Sequence, residues 1–302
     1  MPSLTGKAAR LLRLDQRDMI AWSVKWRALF PHTGFREHQR VPLWHPDVPF
    51  VLITSQRAGS TLGTAWFFHH AGLLNEARSL DPFVHRYEQE VFLKTSGYFA
   101  GLEKAVTERP VVKLVRDPGA RAFSSYLALH DRLATSDPKD HRAAIRRKIA
   151  QHTGKPYALD QRLSFRDFLS WAAAEDHKRM DGNEARQVNA YEDELPGGIS
   201  HLVKLETVRK ELPALETALG LPLSTDEAIT DFATSQHHVP KCEATPELVD
   251  EIINEGIAIP RAGAQPKITT QTIADYPDVA RDLAAAYGED YKRYGYALPS
   301  GA

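Results

Sequence analysis

The chain has 302 residues, 42% of them hydrophobic and 25% charged, and its acidic and basic residues nearly cancel to a net charge of −1. That balance suits one globular domain with a sizeable core and gives no footing for general nucleic-acid binding. A single cysteine, Cys242, excludes an internal disulfide and suits a reducing compartment. No apolar stretch approaches the roughly 20 residues that span a bilayer. The N-terminus lacks the apolar core of a signal peptide, so a cytoplasmic protein is expected.

Residues 1–40 depart from the neutral balance. Lys7, Arg10, Arg13, Arg17, Lys25, Arg27, Arg36 and Arg40 stand against only Asp15, Asp18 and Glu37. Leu11, Leu12, Leu14, Ile20, Trp22, Trp26 and Leu29 recur at approximately helical spacing. A basic amphipathic helix either packs on its domain with a solvated basic face or makes a peripheral contact with an anionic membrane surface or acidic substrate. Residues 1–45 are read as this helical segment. Residues 46–302 are read as a single domain, since no repeat, low-complexity tract or linker divides them.

Apolar runs at 50–54, 111–116 and 201–206 read as buried strands, with long helical stretches between them. That alternation predicts an α/β fold with a mainly parallel sheet, whose ligands gather at the carboxyl ends of the strands. The first run enters a loop, Gln56-Arg57-Ala58-Gly59-Ser60-Thr61, and then a helix carrying Trp66, Phe67 and Phe68. Backbone N–H groups at a helix start, a glycine for close approach, two hydroxyls and a permanent cation together suit a phosphate-like anion. The loop lacks the Gly-Lys-Ser/Thr ending that serves a triphosphate–magnesium complex. His69 and His70, deeper in the helix, are expected to be packing residues, one of them capped by a carbonyl.

The second run ends in Arg116-Asp117-Pro118 and leads into a helix on which Arg121, Ser124 and Ser125 share a face. Arg116 and Ser124 could pinch a second anion. A magnesium-holding carboxylate at Asp117 is the competing reading; Arg116 beside it would repel the metal. Farther along, 135–157 is polar and charged and is expected to be a surface excursion or lid that offers little to a core. Ser164 through Asp167 has the pattern of a helix-capping box. Thr245-Pro246 and Tyr276-Pro277 open two more helices, the second ending near Gly295. His237-His238 have no metal-ligand company at usable spacing, and no metal is expected.

Arg57-Ala58-Gly59-Ser60-Thr61, followed by Arg116-Asp117-Pro118-x-x-Arg121-x-x-Ser124-x-Tyr126, resembles the family of sulfotransferases that use 3′-phosphoadenosine 5′-phosphosulfate (PAPS). The likeness extends more faintly through 163–169, 183–187, 201–208 and 287–296, in the order of the later landmarks of its carbohydrate-acting branch. Many members carry Lys where this chain has Arg57, a change found in several carbohydrate-modifying branches. Residues 261–263, Arg-Ala-Gly, match poorly the basic segment that helps hold the 3′-phosphate in cytosolic members.

The resemblance implies a P-loop-like three-layer fold with a central, mainly parallel sheet flanked by helices. It also implies transfer of a sulfuryl group from PAPS to a hydroxyl of a small-molecule or glycan acceptor, on a carbohydrate or glycolipid. Arg57, Ala58, Gly59, Ser60 and Thr61 would grip the 5′-phosphosulfate; Arg116, Ser124 and, more weakly, Arg261 would grip the 3′-phosphate. Arg57 would also stabilise the leaving group. The family's general base follows the first helix, where His85 and Asp81 are the candidates. An ATP-dependent P-loop-type kinase and a non-catalytic nucleotide-binding module are the alternatives.

Overall fold

A computed structural model describes residues 40–130, 137–234, 241–256 and 265–300. Of the helical segment expected over residues 1–45, residues 1–39 lie outside the described residues, as do the His237-His238 pair and Arg261; residues 40–45 are not helical, and Leu43 instead bridges Leu52 in antiparallel sense.

The three apolar runs form one parallel sheet, in the order β1 (Val51–Ile53), β2 (Val111–Val115), β3 (His201–Lys204). Val51 lies opposite Val111, and Val112 opposite His201. The central strand is buried at every position, as expected where neighbours cover both edges and helices both faces. Each strand is shorter than its apolar run. Thr54 and Arg116 have already left the ladder, and Leu205–Thr207 winds into a 3₁₀ turn. The reason at Arg116 is specific: its N–H and C=O are both bonded to a side chain instead of a neighbouring strand.

The connection from β1 to β2 runs through α1 (Ser60–His70), α2 (Leu74–Leu80), α3 (Val84–Glu90), a 3₁₀ turn (Phe92–Lys94) and α4 (Tyr98–Glu108). After β2 come α5 (Pro118–Ala128), α6 (His141–His152), α7 (Phe165–Ala174) and a 3₁₀ turn (Ala190–Glu194), which leads to β3. Then follow α8 (Val208–Leu219), α9 (Asp226–Ala233), β4 (Lys241–Glu243), α10 (Pro246–Asn254), β5 (Gln265–Lys267), α11 (Thr270–Ile273) and α12 (Pro277–Tyr294). β4 and β5 form a separate parallel pair. The chain is thus α/β, a small parallel sheet flanked by helices. Among the described residues no helix is long and apolar enough to cross a membrane.

Two apolar clusters hold these elements. One wraps the sheet with α1 to α4, α8 and α9; in it Phe50 stacks on Trp66 at 4.8 Å and Phe68 meets Phe92 edge-on at 5.1 Å. The other joins α5, α6, α7, α10, α11 and α12 around Phe123, Tyr126, Phe165, Phe168 and Tyr287. Start signals act as their chemistry requires: Ser164 and Asp167 close a reciprocal capping box, Thr245 caps α10, and Gly295 ends α12 at φ 63°.

The polar stretch expected to be an excursion is different. Its helix, α6, buries Ala143, Ile149 and Ala150, with Ile149 and Ala150 in the second cluster. Arg146 lies buried between them, its guanidinium donating to the carbonyls of Leu129 at 2.9 Å, Leu159 at 3.2 Å and Gln161. A charged residue in mid-stripe hid an apolar face.

Parallel pairing of β1 and β2 sets their carboxyl ends side by side, and the start of α5 is pressed against residue 270. Gly119 N–H donates to Thr270 Oγ1 at 3.3 Å, and a Cβ on Gly119 would meet the Thr270 nitrogen at 2.5 Å. Gly119→Ala should therefore lower stability by about 1–3 kcal/mol. In urea the midpoint falls while the slope stays constant; an unmoved midpoint would mean this junction has slack.

Candidate functional site

The loop after β1 is wound tightly enough to need two left-handed residues, Arg57 at φ 64° and Gly59 at φ 79°. Glycine adopts that conformation freely, whereas for arginine it costs of order 1 kcal/mol and persists only where the surroundings impose it. Here they do. Arg57 Nε donates to Asn183 Oδ1 at 3.0 Å, and the Arg57 carbonyl accepts from Arg116 Nη1 at 3.0 Å. Arg57 Nη1 and Nη2 make no hydrogen bond to any described residue. Ala58 is buried, Ser60 and Thr61 open α1, and Leu205 closes on Gly59.

On the second motif, Asp117 is the N-cap of α5: its Oδ1 accepts from Ala120 N–H at 2.7 Å and from Thr270 N–H at 3.0 Å. Pro118 then occupies the first helical turn, where its missing N–H costs nothing. A carboxylate engaged in this way serves the backbone, and that accounts for the Asp-Pro pair. Arg121 is buried and donates to the carbonyls of Gln56 (2.9 Å), Ala185 (2.5 Å) and Gly182 (2.9 Å). Ser125 turns inward to the Asn183 carbonyl. Ser124 is half-buried, and its hydroxyl has no partner among the described residues.

Both loops are tied together by residues 181–188, a segment of no regular structure. Gln187 is fully buried. Its Oε1 accepts from Arg116 N–H at 2.8 Å and its Nε2 donates to the Arg116 carbonyl at 2.7 Å. Its own carbonyl accepts from Ser55 Oγ at 2.9 Å and from Lys113 Nζ at 2.7 Å. Asp290 on α12 accepts from Gln187 N–H and Val188 N–H, both at 2.9 Å. Lys113, in the middle of β2, is paired with Glu192, which also accepts from Tyr294 Oη at 2.9 Å. Burial pulls the Lys113 ammonium below its ordinary pKa, and Glu192 resists that fall.

The electrostatics are those of crowded, buried guanidiniums. Burial pulls Arg57 below its ordinary pKa; Glu184 and Asp181 resist, while Arg121 and Arg142 add to the fall. Burial does the same to Arg116, with Glu206 and Asp117 resisting and Arg121 and Arg57 adding. The guanidiniums remain protonated at any physiological pH. Gathered cations that weaken one another are relieved by an incoming anion. Nearby, burial and the Asp181 charge push the Glu184 carboxyl up to about 8 against the pull of Arg57 and Arg121. Its Oε2 has no hydrogen-bond partner among the described residues.

Of the two candidate bases, the fold brings one to the loop. His85, buried on α3, places Nε2 3.2 Å from Thr61 Oγ1. Asp81 is engaged elsewhere, accepting from Phe83 N–H at 2.8 Å and from Arg86 Nη1 at 3.1 Å. His70 packs in its helix as expected, but its partner at 3.0 Å is the Glu216 carboxylate, not a carbonyl. Among the described residues no group of three or more His, Cys, Asp or Glu is placed to hold a metal ion.

The expected residues 57–61 and 116 therefore meet in one place with His85, and Ser124 lies on the adjoining helix. Asn183 and Gln187 were legible only as part of the family likeness, because a strap without periodicity has no local signal. Lys113 did carry one: a lysine amid four apolar strand residues demands a buried partner.

Gln187→Met would orphan both backbone groups of Arg116 and should cost about 2–5 kcal/mol in urea unfolding; a loss below 1 kcal/mol would argue against the clamp. For Glu184, both folded and unfolded states hold the proton below pH 4.5. Between there and about 8 only the unfolded chain releases it, so stability falls as pH rises and levels off above 8. Glu184→Gln should flatten that decline in thermal melts, and an identical profile would contradict the raised carboxyl.

In comparisons with known proteins, the chain matches no family model, no curated protein and no solved structure.

Proposed function

We propose that the chain is a PAPS-dependent sulfotransferase of P-loop-like, three-layer architecture, moving a sulfuryl group to a hydroxyl of a carbohydrate or glycolipid acceptor. The observation that carries this reading is the junction of the two motifs. Arg116 Nη1 bonds the Arg57 carbonyl at 3.0 Å, so two cationic loops from neighbouring parallel strands adjoin one another, which supports a single ligand bridging both. The donor's chemistry fits what stands there: Arg57 Nη groups and a Ser124 hydroxyl that have no hydrogen-bond partner among the described residues, and backbone donors at the start of α1. An anion at each end of an adenosine asks for that arrangement. The carbohydrate preference rests on Arg57 and on the likeness over 163–206.

In-line displacement at sulfur puts growing negative charge on the departing 5′-phosphate. A guanidinium fixed at that oxygen stabilises the transition state more than the ground state, and Arg57 is held in its strained turn to do so. The acceptor oxygen must lose its proton as it bonds to sulfur, and His85 is the base at hand. Arg116 and Ser124 position the far end of the donor.

Adenosine 3′,5′-bisphosphate should raise the melting temperature, whereas ATP with Mg²⁺ should not; the reverse would favour a kinase. Arg57→Ala should reduce ³⁵S transfer by about 10²–10³-fold with the fold intact; undiminished turnover sinks its role. Ser124→Ala should weaken bisphosphate binding by about 10-fold or more by calorimetry, the worth of a charge-assisted hydrogen bond. Equal affinity would remove Ser124 from the nucleotide site.

A further inference from the structure

Behind Thr61 lies a buried polar cluster drawn from three parts of the chain. Glu88, one turn on from His85 along α3, sets its Oε2 2.6 Å from His85 Nδ1. Arg40, which precedes β1, donates from Nη2 to Glu88 Oε1 at 2.7 Å and from Nε to Thr54 Oγ1 at 2.8 Å. Its Nη2 also reaches Thr64 Oγ1 at 3.3 Å and stands 2.9 Å from His85 Nδ1. The sulfuryl-transfer reading gives His85 a task, but leaves Glu88 and Arg40 without one.

We propose that Glu88 is a positioning residue that fixes His85 as the tautomer protonated on Nδ1, so that Nε2 is presented to the anion loop as a proton acceptor, with Arg40 anchoring the carboxylate. Its bearing on catalysis rests on the function proposed above; the tautomer itself does not.

The argument is one of lone pairs. Burial opposes ionisation of Glu88, yet the Arg40 guanidinium and His85 hold its carboxyl at about 2, so it is an anion at neutral pH. An anionic oxygen and an unprotonated ring nitrogen at 2.6 Å would set lone pair against lone pair. The proton between them belongs on Nδ1, and the neutral ring then carries its lone pair on Nε2. That nitrogen faces a hydroxyl, which can donate to it. Other groups around the pair leave the assignment unchanged. Tyr98 on α4 and Tyr191 in the 3₁₀ turn are buried phenols held well above their ordinary pKa, hence neutral, and Phe83 meets the ring edge-on at 4.9 Å. Arg40 is the one cation bonded to the pair among the described residues, and its Nη2 makes its shortest bonds to the carboxylate.

In the transfer step the acceptor oxygen bonds to sulfur as the bridging S–O bond breaks. The bond pair leaves with the 5′-phosphate, and the acceptor's proton goes to Nε2. The imidazolium so formed lies against an anion on its far side, which lowers the cost of the charge.

The test is ¹⁵N-histidine NMR on the full chain, with the His85 resonances assigned by their loss in His85→Gln. Above its titration, wild-type His85 should show a protonated Nδ1 and an unprotonated Nε2; the opposite pattern overturns the proposal outright. Glu88→Gln should lower the His85 pKa by about one unit or more and mix the tautomers. An unchanged ring in a folded variant also overturns it. Should Glu88→Gln not fold, with Arg40 left unpaired, Glu88→Asp keeps the charge and should keep the Nδ1-protonated tautomer, whereas loss of that tautomer would refute the assignment. With PAPS and an active acceptor, Glu88→Gln should lower kcat about 10- to 100-fold, shift the acid limb of the pH–rate profile downward and leave KM for PAPS unchanged. A rise in KM alone, with kcat and pH profile intact, would make Glu88 merely structural. If no acceptor is sulfated while the tautomer holds, the enzymatic reading falls and the positioning stands.

Discussion

The carboxamide of Gln187 answers both hydrogen-bonding groups of one backbone residue, Arg116, at the point where the central strand stops. A strand that ends in the interior leaves a donor and an acceptor unpaired, each costing about 1–3 kcal/mol if nothing meets them. An amide side chain meets both at once because it carries one of each. From that fixed point the rest follows. Arg116 is aimed at the Arg57 carbonyl, which holds Arg57 in its left-handed turn, where two guanidinium nitrogens have no hydrogen bond among the described residues.

Such an arrangement is costly when empty of anions. Four arginines gather within electrostatic reach, and burial disfavours the charge on Arg57 and Arg116. The chain offsets this with carbonyls more than with carboxylates: Arg121 spends its donors on Gln56, Ala185 and Gly182, Arg116 on Arg57. Carbonyl dipoles hold a guanidinium without neutralising it, so the positive potential survives for a ligand. Among the carboxyls near them, Glu184 is pushed toward its neutral form and takes little of that potential away near neutral pH.

Much of the scaffold was legible in the sequence because it obeys local rules. Apolar runs gave three strands and their parallel sense, and Ser164, Thr245 and Pro277 marked helix starts through capping chemistry that acts over a few residues. Strand ends were not legible, since what ends β2 is a side chain 71 positions away. Helix α6 escaped because Arg146 interrupts its apolar stripe, a burial that only the carbonyls of Leu129, Leu159 and Gln161 make tolerable. In the site, the loop residues and Arg116 were readable as anion-binding types. That His85 and not Asp81 stands beside the loop was not legible, because Asp81 is taken up by its own turn and by Arg86, facts that depend on how α3 begins.

The carboxylate that steadies the strap comes from Asp290, and the phenol that closes the Lys113–Glu192 pair comes from Tyr294, both on the final helix. Residues far apart in the described chain thus complete one another around the loop that follows β1. The molecule is not divisible: no cut between Arg57 and Tyr294 leaves a fragment owning every member of that network. Its last helix is as much a component of that network as the glycine loop itself.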